Sequence, residues 1–224
     1  MAKRNMETHI IASIIGVSQK EIDERIARVK DAAPIMQLDI MDGRFVNAVS
    51  LYFDFTIPKG PTYEAHLMIE DPAQWIKQHA HKVELIYVHR ETCRDCDGMI
   101  RLVKSKGKRI GFALNPETPV DDIRDYLDRI DAVLVMTVHP GQYGAPFLPE
   151  QLQKVRQLRE LRSDLEIEVD GGITDKTIRQ AALAGANLFI SGSYLQNAKD
   201  PVRAAKKLYN IAVNRKEGNE RERR

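Results

Sequence analysis

Cysteine is scarce in this chain. Only Cys93 and Cys96 occur in 224 residues, close together in the string CRDC. Two thiols in one short string cannot build the disulfide framework of a small secreted domain. A CxxC pair can be a redox site or half of a metal site, but no second Cys or Cys/His pair with zinc spacing follows it. The pair lies just after a strand-like run among charged residues and is expected to be two incidental thiols of a cytosolic protein. Long apolar runs are also missing. No stretch approaches the roughly 20 apolar residues of a membrane span, and MAKRNMETHI at the start is not followed by the apolar core of a secretory signal. A strong charge of either sign is absent too. The formal net charge is +2, which supplies no field for a polyanion or an anionic membrane. The expectation is a cytoplasmic protein with neither nucleic acid nor membrane as partner.

What is present is an ordinary soluble balance, 43% hydrophobic and 29% charged, in a repeating order. Strand-like apolar runs recur at 10–15, 35–43, 62–68, 84–89, 109–114, 131–136, 165–170 and 187–192. Helical patterns follow near 19–31, from Pro72, near 95–106, 119–128 and 149–162, from a Thr174 cap to about 184, and at 200–213. The segment 44–61 reads as irregular, broken by Pro58, Gly60 and Pro61. Eight strand-then-helix units in about 205 residues predict a single-domain (β/α)8 barrel over 1–214. The competing doubly wound sheet carries a Gly-rich turn after its first strand, and here that turn reads SIIGVSQ. The end, RKEGNERERR at 215–224, has no apolar residue and is expected to be a disordered charged tail.

The stretch IMQLDIMDG at 35–43 is unusual for a buried strand. Gln37, Asp39 and Met41 are two apart and share a face. Charged groups are seldom buried without a partner, so the run reads as one wall of an active site, although aspartates at a strand end can also serve only to bond a turn. A barrel places its chemistry at the C-terminal ends of its strands. Those positions hold Ser13, Gln37, Asp39, Met41, His66, Met68, His89, Glu91, Asn115, Met136, Asp170 and Ser193. Asp39, His66 and Asp170 supply two carboxylates and an imidazole, a metal-ligating set with Gln37 as a neutral oxygen. Asp39 and Asp170 come from far-apart strands and could face each other across a substrate. Two opposed carboxylates suit removal of a proton from one face of a carbon and its return to the other. Glycines Gly141 and Gly144, Gly171 with Gly172, and Gly192 beside Ser193 open three late loops, where barrels hold phosphate on backbone N–H groups.

These residues resemble the ribulose-phosphate 3-epimerase family. The matching strings are ASII (12–15), LDIMDGRFV (38–46), AHLMIEDP (65–72), VHRET (88–92), GFALNPETP (111–119), VLVMTVHPGQYGAPF (133–147), VDGGI (169–173) and GANLFISGSYL (185–195). The resemblance implies a (β/α)8 barrel that interconverts D-ribulose 5-phosphate and D-xylulose 5-phosphate, or a related ketose phosphate, with one divalent metal, in an oligomer. It implies that Asp39 and Asp170 are the acid/base pair and also metal ligands, with His66 a further ligand. Ser13 matches a serine at the substrate's hydroxyl end. Met41, Met68 and Met136 match methionines that pack over the intermediate, although methionine at such positions also fills cores. Gly141, Gly144, Gly172, Gly192 and Ser193 match the phosphate-holding positions.

The chain also departs from the family pattern. Gln37 stands where the family usually has a metal-ligating His. Arg44-Phe45-Val46-Asn47 lacks the usual proline, and His139 replaces an Asn before Pro-Gly. Tyr143-Gly144-Ala145 replaces Gly-Gly-Gln. A hard amide oxygen favours Mn²⁺ or Mg²⁺ over Zn²⁺. Two other functions compete with the epimerase. A decarboxylase or aldolase of phosphorylated sugar acids would carry a Lys between two Asp on strand two, where this chain has Asp39-Ile40-Met41-Asp42. A non-catalytic sugar-phosphate binder would fit a metal site impaired by Gln37.

Overall fold

The computed structural model describes residues 6–141 and 144–214. The expected charged tail and Tyr143 lie outside the described residues. Within them, eight parallel strands close into a barrel. β1 (His9–Ile14) pairs with β2 (Ile35–Asp42) on one side and with β9 (Leu188–Ile190) on the other. From β2 the order runs through β4 (Thr62–Met68), β5 (Leu85–His89), β6 (Arg109–Leu114), β7 (Ala132–Met136) and β8 (Glu166–Asp170) to β9. The remaining strand, β3 (Val49–Ser50), lies in the segment read as irregular. It adds antiparallel to Met41 and Asp42 at the end of β2.

The helices are α1 (Gln19–Val29), α2 (Pro72–His79), α3 (Cys96–Ser105), α4 (Leu152–Leu161), α5 (Ile178–Ala184), α6 (Ser193–Gln196) and α7 (Pro201–Val213). Side-chain oxygens of Ser18, Asp71, Asp95 and Asp200 accept the first free N–H groups of α1, α2, α3 and α7. Pro72 and Pro201 occupy first turns, where no N–H is needed. Two expectations fail here. The segment expected to be a helix near 119–128 is a 3₁₀ run, Val120–Tyr126, with bonds such as Leu127 N to Arg124 O. Its aspartates at 121, 122 and 125 are weak helix formers. Thr174 does not cap α5. Its N–H donates to Thr177 Oγ1 in a turn, and the helix begins at Ile178.

Side-chain alternation divides the barrel into two cores. On β2, Met36, Leu38 and Ile40 pack outward with helix residues such as Ile22, Ile26 and Val29. The outward residues of the other strands, such as Ile86, Val88, Val133 and Val135, join the same cluster. Inward-facing residues form separate clusters, Leu85, Tyr87, Ala113 and Leu134 in one and Ile11, Leu188 and Ile190 in another. Gln37, Asp39, His66, Glu64, Glu168 and Asp170 share those inward positions.

Gly111 is an interior position where only hydrogen fits. A Cβ built there would lie 2.4 Å from two carbons of the buried Tyr87 ring and 3.0 Å from the Ala132 carbonyl oxygen. The Gly111→Ala variant is expected to lose about 1–3 kcal/mol of stability through overpacking. Urea unfolding measures it, and a wild-type midpoint would show that the ring is free to move aside.

Candidate active site

Strand register brings the inward polar groups to one level. Asp39 on β2 lies beside His66 on β4, and Met136 on β7 beside Asp170 on β8. Only β1 and β9 separate β2 from β8 on the shorter way round the barrel. Ligand atoms of Asp39, His66 and Asp170 all lie within 4.8 Å of one another. His66 Nδ1 is 3.4 Å from Asp39 Oδ1 and 3.4 Å from Asp170 Oδ2. Gln37 Nε2 donates to the same two oxygens, at 2.8 and 2.9 Å. Ser13 Oγ donates to Asp39 Oδ2 at 2.7 Å. The face shared by Gln37 and Asp39 is therefore real, and it joins a carboxylate brought from the far end of the sequence.

Burial pushes the Asp39 carboxyl above its ordinary value; His66 opposes this rise and Asp170 adds to it. Burial also disfavours a charged His66, but the two flanking carboxylates outweigh it and raise the ring to about 9. Two buried polar atoms at this level lack hydrogen-bond partners, His66 Nδ1 and Gln37 Oε1. A divalent cation fits this donor set, because two carboxylates supply charge and two unpartnered atoms await a ligand. Asp42, the second acid of the IMQLDIMDG stretch, stays apart. It accepts backbone N–H groups from Arg44, Phe45 and Glu70 at 2.8–3.0 Å. These hold it below the usual carboxylate range against the effect of its partial burial. Its role is to tie a turn.

Above the carboxylates opens a cleft. It is lined by Ser13, Asp39, Met41, Met68, Met136, Gly141, Gly144, Asp170, Gly172, Gly192 and Ser193, together with Val138 and Ile190. Every residue that the family resemblance assigns to the site therefore faces one space, except Gln37 and His66, which are fully buried at its floor, while His89, Glu91 and Asn115 do not line it. Met41 and Met68 also pack against Val46, so they fill core and line cleft at once. The glycine after β8 is required by space: at Gly171, with φ +119, a Cβ would lie 2.5 Å from Val138 Cγ2 and 2.8 Å from its backbone N. Cys93 and Cys96 are buried free thiols outside the cleft. Burial and the neighbouring Cys96 push the Cys93 thiol well above its ordinary value, which leaves it unreactive.

Two further groups were invisible as partners in the sequence. His89 Nε2 lies 2.8 Å from His66 Nε2, and His89 Nδ1 lies 3.1 Å from Glu91 Oε2. Glu91 Oε1 accepts Asn115 N–H at 3.0 Å and the Thr118 hydroxyl. Despite the opposing effect of burial, these bonds lower Glu91 to about 2, while burial lowers His89 to about 4. Beneath the cleft floor, Glu64 and Glu168 are buried inside the barrel, and Tyr87 Oη donates to Glu168 Oε2 at 3.2 Å. The two-residue steps to His66 and Asp170 hinted at their direction. Their mutual proximity depends on barrel closure.

The ribulose-phosphate 3 epimerase family profile matches residues 9–196. The chain belongs to this family. The family's named members are epimerases, a class of isomerase. Ribulose-phosphate 3-epimerase of Schizosaccharomyces pombe is 31% identical over 221 residues, covering 95% of this chain and 97% of that protein. The Bacillus subtilis protein of the same name is 35% identical, covering 78% of this chain and 85% of its own length. In fold alone, the barrel resembles 3-keto-L-gulonate-6-phosphate decarboxylase from Vibrio cholerae, with a TM-score of 0.69 at 14% identity over 92% of this chain and 97% of that one. No helix among the described residues is long and apolar enough to cross a membrane. All the strings quoted above fall within the matched residues 9–196.

Glu64 gives the site's floor a pH signature. Burial raises its carboxyl from 4.5 to about 8. The folded protein thus holds this proton more tightly than the unfolded chain. Its stabilising contribution is full below pH 4.5 and is lost as pH rises through 8. One such proton changes stability by at most about 1.4 kcal/mol per pH unit. In Glu64→Gln the decline in unfolding free energy between pH 5 and 8 should be shallower than in wild type. Parallel curves from urea titrations would remove Glu64 as the source.

Proposed function

We propose that this chain is a sugar-phosphate 3-epimerase acting on D-ribulose 5-phosphate and D-xylulose 5-phosphate, or a closely related ketose phosphate. The observation that supports it most is the pair Asp39 and Asp170. Both face one cleft, are held to a common Gln37 amide, and sit below glycine-rich loops suited to a phosphate. One carboxylate takes the proton from the carbon next to the ketone, and the electron pair moves onto the carbonyl oxygen to give an enediol(ate). The other carboxyl delivers a proton to the opposite face, which inverts that carbon. Ser13 holds Asp39 through its hydroxyl and stands at the substrate's hydroxyl end. Met41, Met68 and Met136 cover the planar intermediate and exclude water. Gly141, Gly144, Gly172, Gly192 and Ser193 anchor the phosphate. Asp39, His66 and Asp170, with the Gln37 oxygen turned inward, would hold a divalent cation, Mn²⁺ or Mg²⁺ in preference to Zn²⁺. When bound, it supplies Lewis-acid stabilisation of negative charge on a substrate oxygen. On this reading the protein works in the cytoplasm, as a homo-oligomer.

Asp39→Asn and Asp170→Asn should each lower epimerisation about 100- to 10,000-fold while ketose phosphate still binds. A coupled assay for xylulose 5-phosphate and calorimetric binding measure the two effects. Near-normal turnover in either variant would overturn the two-carboxylate assignment. Gln37→His should tighten Mn²⁺ binding, because an imidazole replaces an amide that now donates to the two carboxylates. A flat affinity by titration calorimetry would show that Gln37 stands outside the cation's reach.

A further inference from the structure

We infer that Glu91 and His89 are positioning residues, a hydrogen-bonded chain that sets which nitrogen of His66 is free to bind a cation. The inference rests on the proposed cation site, and it concerns residues that do not line the cleft. The logic is donor counting. Glu91 accepts two donors at Oε1, the Asn115 N–H and the Thr118 hydroxyl, which favour its ionised form, an acceptor only. At 3.1 Å from Glu91 Oε2, His89 Nδ1 must therefore carry a hydrogen. Only one hydrogen fits between two ring nitrogens 2.8 Å apart. If His89 also carried it, the ring would be a buried cation, at 0% exposure, beside His66. His89 Nε2 thus accepts, and His66 Nε2 donates. Nδ1 of His66 is left facing Asp39 and Asp170, and it is the ring nitrogen without a hydrogen-bond partner.

The chain also fixes the ring in space. The rings of His66 and His89 meet edge to edge through their Nε2 hydrogen bond, with centroids 4.9 Å apart and planes 26° from parallel, and the Phe45 ring lies tilted 4.7 Å from that of His89. Thr118 and Asn115 belong to the loop after β6, so the imidazole on β4 is braced through β5 from two strands away. A histidine ligand oriented by its second nitrogen binds metal more tightly, and loss of the outer partner typically weakens affinity about 10- to 100-fold.

The decisive experiment combines Mn²⁺ titration with long-range ¹H–¹⁵N spectra of the histidine rings. In the wild type without added metal, the spectrum should show His89 as a neutral ring with its hydrogen on Nδ1. Glu91→Leu should weaken Mn²⁺ binding about 10- to 100-fold, and Glu91→Gln, which keeps an acceptor oxygen, should recover part of the loss. If Glu91→Leu fails to fold, Thr118→Val loosens Glu91 more gently and should weaken Mn²⁺ binding in the same direction. A wild-type spectrum with the His89 hydrogen on Nε2, or Mn²⁺ affinity in Glu91→Leu within twofold of wild type, overturns the chain. If the wild type takes up no Mn²⁺ at all, the proposed cation site fails, and the ring spectrum alone decides the hydrogen-bond order.

Discussion

A buried carboxylate beside a half-buried one is the constraint that organises this protein. Asp39 and Asp170 repel each other and both lose hydration, so neither position is tolerable without partners. The interior answers with a serine hydroxyl, a glutamine amide and an imidazole, all at one level of the barrel. The imidazole is in turn oriented by a second histidine and a glutamate. On the proposed mechanism, the same closeness that makes the pair expensive to bury lets it act on a single carbon. Acid placed there without chemistry to perform would be poorly explained, because an apolar pair would pack the barrel with less loss.

The scaffold turns this local demand into geometry. Closed parallel strands leave no edge and point alternate side chains inward, so a polar group two residues from a strand's end reaches the cleft without a long loop. The outward residues then carry the burial that stabilises the fold, through one large cluster with the helices. The site is thereby separated from the main core. Changes among the inward strand residues of the cleft touch small inner clusters, and Ile173 is where the cleft lining meets the strand–helix core.

Much of this was legible in the sequence, for physical reasons. Eight apolar runs spaced by helical patterns report the barrel, because each strand must be covered by a helix. Asp39, His66 and Asp170 announced themselves as polar groups at strand ends, and the family likeness extended the set to the methionines and glycines that line the cleft. The failures are equally physical. The two-residue strand β3 is too short for a periodic signal, and at Val120–Tyr126 a helical spacing of apolar residues masks the weak helix propensity of three aspartates. Thr174 and Thr177 compete as helix starts, and only the turn geometry decides between them. The chain from Glu91 through His89 to His66 joins residues on different strands, and the Glu64–Glu168–Tyr87 group joins three, so no local pattern reports either. Gln37 is the instructive case: its position was legible, while its donation to both carboxylates depended on coordinates.

The central claim is that two different carboxylates serve the two faces of one carbon, and the origin of the hydrogen in the first-formed product tests it most directly. Ribulose 5-phosphate with ordinary hydrogen at C3 is turned over briefly in D₂O, and substrate and product are read by mass spectrometry or proton NMR. Two carboxylates predict xylulose 5-phosphate that carries solvent deuterium at C3 from the outset, while unreacted ribulose 5-phosphate stays largely protiated. Product that retains the substrate's own hydrogen would mean that a single group moves it from one face to the other, and would contradict the account.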